Sequence, residues 1–276
     1  MSGFSPSWLS LREPADQAAR NREVLGACMR HFAPRTHVAV CDLGAGTGAS
    51  VRAFAEYLPA QQTWTLVDHD ARNLAAACDS LRGWADEAEP NDNALILKKG
   101  GKDIAVRTRV ADLSEKADWS RGTDLVTASA LFDLISERWI SRFAAALVAD
   151  KLPLLATLTA DGRMHATPGH AHDDAVWAKF REHQTRDKGF GPSAGAAAAR
   201  FLEDVFARAG YVITAGDSPW ILEQGPLLRT TAEGIAQAVA ETGDLKAPAL
   251  TDWLAQATTP GRRLIIGHRD LFAAPP

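Results

Sequence analysis

The sequence predicts an α/β protein built on a doubly wound, mostly parallel sheet with helices on both faces. Three observations carry that expectation. Short apolar segments alternate with segments of helical period, as parallel strands joined by crossover helices do. A glycine-rich turn, LGAGTG (43–48), follows the first apolar segment. The 276 residues, 46% hydrophobic and 23% charged, suit one large domain with a sizeable core.

The elements follow in order. In SWLSLREPADQAARNREVL (7–25), Ser10 and Glu13 have capping-box spacing and Pro14 suits an early helical turn. VAVCD (38–42) reads as a strand, ASVRAFAEYL (49–58) as a helix, TWTLVD (63–68) as a strand and ARNLAAACDSLRGWADEA (71–88) as a helix. ALILKK and DIAVRTRVAD flank a Gly-Gly-Lys hairpin turn whose lysines discourage edge pairing. DLVTAS (124–129) is a strand, ALFDLISERWISRFAAALVA (130–149) one long helix and LPLLATLTA (152–160) a strand. Helices follow over 172–188, with Val176, Trp177 and Phe180 on one face, and over 193–210, with Ser193 as N-cap and Gly210 at the C-terminal cap. YVITAGDSPWIL is strand-like, residues 226–258 carry two helical patterns, and RRLIIGHRDLF (262–272) closes the chain as a strand.

Composition excludes several functions. The formal net charge of −4 argues against a nucleic-acid partner. No apolar run is long enough to span a membrane, and the N-terminus lacks the basic start and apolar core of a signal peptide. Cys28, Cys41 and Cys78 lie far apart, as in a reduced cytoplasmic protein without a cysteine metal site. His165, His170, His172, His183, Asp173 and Asp174 have no spacing that fixes metal geometry, so no metal is expected. A homodimer is left open.

In VAVCDLGAGTG a strand leads into Asp42, Gly44, Ala45, Gly46 and Gly48, and a helix follows. Glycines are required where a strand turns sharply into a helix and a ligand approaches the backbone. A dinucleotide fingerprint places its third glycine three residues after the second; here Gly48 follows Gly46 by two. The Gly-Lys-Ser/Thr of a phosphate loop is absent. With an acid two positions before the first glycine, the segment resembles the acid-x-Gly-x-Gly-x-Gly signature of the class I S-adenosylmethionine-dependent methyltransferases. The resemblance covers residues 35–160 by motif and 193–272 by element order alone.

The resemblance implies a seven-stranded sheet, S-adenosylmethionine as cofactor and S-adenosylhomocysteine as product. It implies that Asp42, Gly44, Ala45, Gly46 and Gly48 hold the cofactor. Asp68, a two-oxygen acceptor at the second strand's end, would face the ribose diol, while Asp70 reads as a helix N-cap. His69 lies beside the adenosine or is an exposed turn residue. Asp112 and the backbone of Leu113 would meet the adenine amine, unless Asp112 and Ser114 only cap a helix. Ser129 would neighbour the sulfonium. Asp133, at the start of the next helix, is a macrodipole acid or a catalytic one. The Asn/Asp-Pro-Pro-aromatic run of enzymes that methylate amino groups on bases is missing.

In such sheets ligands bind beyond the carboxyl ends of the strands. Segments 1–34, 161–192 and 223–261 exceed the minimal fold and are expected to form a helical cap there, within a single domain spanning 1–276. A cap of this kind suits an enclosed small-molecule substrate. Arg12 and Arg20 would reach the cofactor carboxylate or an acidic substrate, or lie on a solvated helix face. His183 is the best general base by residue type, or a polar helix-end residue. HQTRDKGFGPSAG (183–195) is expected to be a helix connector and a pocket wall, with Lys188 toward the substrate, Gly189 stopping a helix and Ser193 starting the next. The competing functions are a nicotinamide-dependent oxidoreductase and a non-catalytic protein that keeps the fold.

Overall fold

The computed structural model describes residues 4–91, 93–115 and 118–276. Its strands are β1 (His37–Leu43), β2 (Gln61–Asp68), β3 (Glu87–Asn91), β4 (Ala94–Lys99), β5 (Lys102–Val110), β6 (Leu125–Ser129), β7 (Leu154–Thr167), β8 (Val212–Asp217), β9 (Trp220–Leu222) and β10 (Arg263–Ala274). They form one sheet in the order β3-β4-β5-β2-β1-β6-β7-β10-β8, with β9 added to β10. The run β5-β2-β1-β6-β7 is parallel throughout, and β10 is antiparallel to both of its long neighbours. Among the described residues the sheet has ten strands, against the seven expected. The additions are the β3–β4 hairpin arm at one edge and β9.

Helices α2 (Arg22–Phe32), α3 (Ala49–Phe54) and α4 (Ala71–Trp84) cover one face of the sheet, burying Phe32, Phe54, Leu81 and Trp64 in a common cluster. Helices α5 (Glu137–Ala149) and α7 (Ala198–Arg208) cover the other through Trp139, Phe143, Leu202 and Phe206. Apolar strands buried on both faces are the physical reason the sequence shows near-continuous runs there.

A third cluster sits apart. β7 does not stop at residue 160; it continues to Thr167, paired with β10 alone, and β9 joins β10 on its other side. Helices α1 (Pro6–Ala19), α6 (Asp173–Gln184), α8 (Pro226–Ala240) and α9 (Ala247–Ala257) pack around this three-stranded arm. Asp173 is its buried polar anchor. One carboxylate oxygen accepts from Arg262 Nη2 at 2.6 Å and Trp253 Nε1 at 2.8 Å, and the other from the His170 amide at 2.7 Å.

Other boundaries shift for identifiable reasons. Ser5, not Ser10, caps α1, its Oγ accepting from the Trp8 amide at 3.2 Å. The long helix expected from residue 130 is split. Ala130 adopts a left-handed φ of 51°, a 3-10 turn spans Phe132–Leu134, and Ser136 caps α5. Ser193 caps no helix; its Oγ lies 2.9 Å from the carbonyl oxygens of both Leu134 and Arg186, fastening the loop after α6 to that turn. α6 ends at Gln184, before Gly189. Asp70 and Gly210 hold the cap positions expected of them.

Candidate active site

The carboxyl ends of β1, β2, β5 and β6 open into a cavity of about 140 Å³. Gly44, Gly46, Asp68, His69, Asp112, Leu113 and Ser129 line it, with Arg12 from α1. The glycine turn is built as its sequence requires: Gly44, Gly46 and Gly48 have φ of 66°, 52° and 74°, where L side chains are disfavoured. Their roles differ. Gly44 and Gly46 face the cavity. At Gly48 a Cβ would meet Ala77 at 3.3 Å and Leu81 at 3.4 Å, so this glycine lets α3 approach α4. Ala45 is buried, and its amide donates to the Val67 carbonyl at 3.0 Å. Ala45 and Gly48 therefore face the core, outside the cavity lining.

Asp68 closes β2. Its Oδ2 accepts from the Gly46 amide at 2.8 Å and its Oδ1 from the Asp70 amide at 2.9 Å, while His69 Nδ1 lies 3.3 Å from Oδ1. Each oxygen keeps a lone pair for a further donor. Asp112 Oδ1 accepts from the Ser114 amide at 2.8 Å, and the Ser114 hydroxyl and amide hold this carboxyl below its ordinary range. The Leu113 carbonyl accepts from Trp139 Nε1 at 2.8 Å, which fixes the strand end. Ser129 Oγ accepts from Thr157 Oγ1 at 3.1 Å.

No protein-family model and no curated protein matches the sequence. Solved structures do resemble this one. The YcgJ protein of Bacillus subtilis aligns over 93% of this chain and 100% of its own, at 13% identity and a TM-score of 0.51. The cyclopropane synthase MmaA2 of Mycobacterium tuberculosis aligns over 98% and 94%, at 13% identity and 0.49. A Haemonchus contortus phosphoethanolamine N-methyltransferase aligns over 100% of this chain and 58% of its own, at 14% identity and 0.48. The chain shares its fold with the YcgJ protein, and its mostly parallel sheet with helices on both faces is the one that the resemblance to class I methyltransferases implies.

Behind the glycine turn lie two buried charged groups, Asp42 and Arg20. Asp42 is 1% exposed. Its Oδ1 accepts from Thr127 Oγ1 at 2.6 Å, and its Oδ2 has no partner. Burial pushes its pKa up to about 7, although Thr127, Ser50 and Arg20 pull the other way. Arg20, just past α1, is 6% exposed, and among the described residues none of its three guanidinium nitrogens has a partner. Its Cζ sits 5.1 Å from the Phe54 ring centroid. Burial lowers its pKa, against the pull of Asp16 and Asp270. Neither residue is a cavity-lining group in this conformation. Arg12 is, with Nε and Nη2 on Asp16 at 2.9 and 3.1 Å. The solvated-face alternative for both arginines is thereby removed.

His183 lies outside the cavity lining, with Nε2 2.8 Å from Oε2 of Glu241, just past α8. The pair joins the ends of α6 and α8, the contact expected of a polar helix-end residue. Asp133 and Lys188 also lie outside the lining, although Leu131 and Phe190, each two residues away, are in it. Among the described residues no group of three or more His, Cys, Asp or Glu side chains is arranged to hold a metal, and no helix is long and apolar enough to cross a membrane.

Sequence reasoning missed Phe4, Leu9, Asn73 and Leu131, which all line the cavity, whereas Phe190 lies in the stretch expected as a pocket wall. Asn73 had a signal: it is a polar residue on the core-facing stripe of α4 with Leu74, Ala77 and Leu81. Its Nδ2 donates to the Phe4 carbonyl at 3.3 Å, tying the start of the chain to α4. Leu9 had none, because only the tertiary fold lays α1 across the glycine turn. A Cβ on Gly46 would meet Leu9 Cδ1 at 2.9 Å.

Proposed function

We propose that the protein transfers a methyl group from S-adenosylmethionine to an enclosed small molecule and releases S-adenosylhomocysteine. The carrying observation is the orphaned pair behind the glycine turn. A buried guanidinium and a buried carboxylate oxygen, both without partners, cost several kcal/mol if left so. Together they complement a zwitterionic amino acid end: Arg20 would hold a carboxylate and Asp42 an ammonium. Asp68 would accept from the ribose hydroxyls, and Asp112 with the Leu113 backbone would receive the adenine. His69 and Ser129 complete the wall. The bound sulfonium supplies an activated methyl carbon. The chain's residues supply position and exclusion of water, with segments 1–34, 161–192 and 223–261 as the cap of a single domain. The reading includes a cytoplasmic setting without a nucleic-acid partner, supported by the net charge of −4 and three free cysteines. Isothermal titration with S-adenosylmethionine and S-adenosylhomocysteine tests it, and absence of binding at millimolar concentration sinks it.

One observation favours the non-catalytic reading. Leu9 rests on Gly46, and about 140 Å³ of cavity is small beside the roughly 300–1,000 Å³ of small-molecule sites. If α1 is a permanent plug, Leu9→Ala creates binding that the native chain lacks. If α1 yields to the cofactor, both proteins bind.

A further inference from the structure

Two opposite charges, Asp133 and Lys188, lie on adjoining segments near the cavity. Asp133 is 8% exposed, and among the described residues its Oδ1 has no hydrogen-bond partner. Lys188 Nζ donates to the Gln184 carbonyl at 3.2 Å. Among the described residues neither group makes an ion pair within 4.0 Å. Yet Lys188 is the strongest charge acting on Asp133, ahead of Arg12, and Asp133 is the charge acting on Lys188. Burial raises the Asp133 pKa against Lys188, the amides of Asp133 and Ala160, and Arg12; burial lowers that of Lys188.

The two segments are tied together. The loop carrying Lys188 is fastened to the turn carrying Asp133 by Ser193 Oγ at the Leu134 carbonyl and by the Ala194 amide on the Ile135 carbonyl at 2.8 Å. Asp187 Oδ1 stiffens the loop by accepting from the amides of Gly189 and Gly191 at 2.7 and 3.0 Å. Both segments reach the cavity, through Leu131 and Phe190. The floor beside them is strained: Ala130, just past β6, and Leu158, on the neighbouring β7, have φ of 51° and 55°. Such strain persists where surrounding structure imposes it, commonly at working sites.

A carboxylate only accepts and an ammonium only donates, so a group that bridges them does both. A hydroxyl qualifies. A substrate carboxylate would be repelled by Asp133, and a substrate ammonium by Lys188. We propose that Asp133 and Lys188 form the acceptor subsite for a hydroxyl-bearing small molecule, Lys188 donating to the hydroxyl oxygen and Asp133 taking its proton. This rests on the methyl-transfer reading. The hydroxyl oxygen bonds to the methyl carbon, the carbon–sulfur bond breaks with its electron pair left on sulfur, and the proton ends on Asp133 Oδ1.

The test incubates wild type, Asp133→Asn, Asp133→Glu and Lys188→Gln with methyl-deuterated S-adenosylmethionine and a soluble metabolite extract, with S-adenosylhomocysteine affinity measured alongside. Expected are a labelled methyl ether from wild type and a loss of about 100-fold or more in Asp133→Asn, with cofactor affinity unchanged and partial recovery in Asp133→Glu. The acid limb of the wild-type pH–rate profile should vanish in Asp133→Asn. Lys188→Gln, on the loop, keeps the test open if the Asp133 variants fail to fold; it too should lose turnover and not affinity. An N-methyl or methyl-ester product, wild-type turnover in Asp133→Asn, or matched losses of turnover and affinity overturn the subsite. So does cofactor binding without any methyl ether product. Failure of the wild type to bind S-adenosylhomocysteine overturns the methyl-transfer reading instead.

Discussion

Asp42→Asn separates the demands of folding from those of binding. Burial holds the Asp42 carboxyl at about 7, against an ordinary value of 3.8. Between those values the folded chain keeps a proton that the unfolded chain has released. The contribution of this group to stability is therefore complete below pH 3.8 and lost as pH rises through about 7. At about 1.4 kcal/mol per pH unit, the gap between 3.8 and about 7 amounts to roughly 4 kcal/mol. Asparagine is nearly isosteric with the protonated acid and can still accept from Thr127. Asp42→Asn should thus match the wild type near pH 4 and exceed its stability at pH 8 by an amount approaching 4 kcal/mol. Asp133 and Asp270, also raised by burial, are common to both proteins and cancel in the difference. Urea unfolding followed by the fluorescence of the eight tryptophans measures it at each pH. Binding should move oppositely. At pH 8 the more stable variant should hold S-adenosylmethionine at least tenfold more weakly, because a buried carboxylate facing an ammonium has been removed. Stability curves that stay parallel from pH 5 to pH 8 would refute the reasoning.

Other changes probe other parts. Gly46→Ala places a Cβ 2.9 Å from Leu9 Cδ1 at a φ of 52°; it should cost roughly 1–3 kcal/mol, and adding Leu9→Ala should return part of that in urea unfolding. Asp173→Ala leaves Arg262 buried and uncompensated, so a loss of about 3–5 kcal/mol is expected, with broadened tryptophan signals from Trp253. His183→Ala removes a half-exposed pair with Glu241; turnover and cofactor affinity should stay at wild-type values, and stability should fall by no more than about 1 kcal/mol in thermal melts.

The elements legible in the sequence are those whose cause is local. Three glycines with left-handed φ, an aspartate ending a strand and Asp70 capping α4 each follow from neighbours in the chain. What was hidden depends on partners distant in sequence. ALFDLIS reads as continuous helix because its apolar spacing fits one, but the Ala130 amide donates to the Thr157 carbonyl on the next strand and the chain turns there. The polar run Asp161–Thr167 resembles a loop until β10 pairs with it. Arg20 carries the charge of a surface residue, and its burial follows from the α1–α2 corner closing over Phe54.

Helix α1 is where these hidden features meet. Leu9, Arg12, Glu13 and Asp16, with Arg20 just beyond, recur at helical spacing and so share one face. That face is mostly charged, yet it is turned inward: Arg12 and Asp16 are buried, and Glu13 Oε2 lies 2.5 Å from Arg52 Nη2 on α3. Trp220 Nε1 on β9 donates to Asp16 at 2.9 Å. One helix thereby joins the glycine-turn helix to the capping arm. Its burial is incompletely compensated, because Arg20 and the Trp8 indole nitrogen lack partners. A helix held by a polar face with unfilled bonds should open locally before the sheet does, and a ligand that fills those bonds should close it. Hydrogen exchange of the α1 amides should therefore slow by tenfold or more on saturation with S-adenosylhomocysteine, while β1 and β6 amides change little. Equal slowing across α1 and the central strands would mean that ligand stabilises the molecule as a whole, and α1 would lose its place as the closing element.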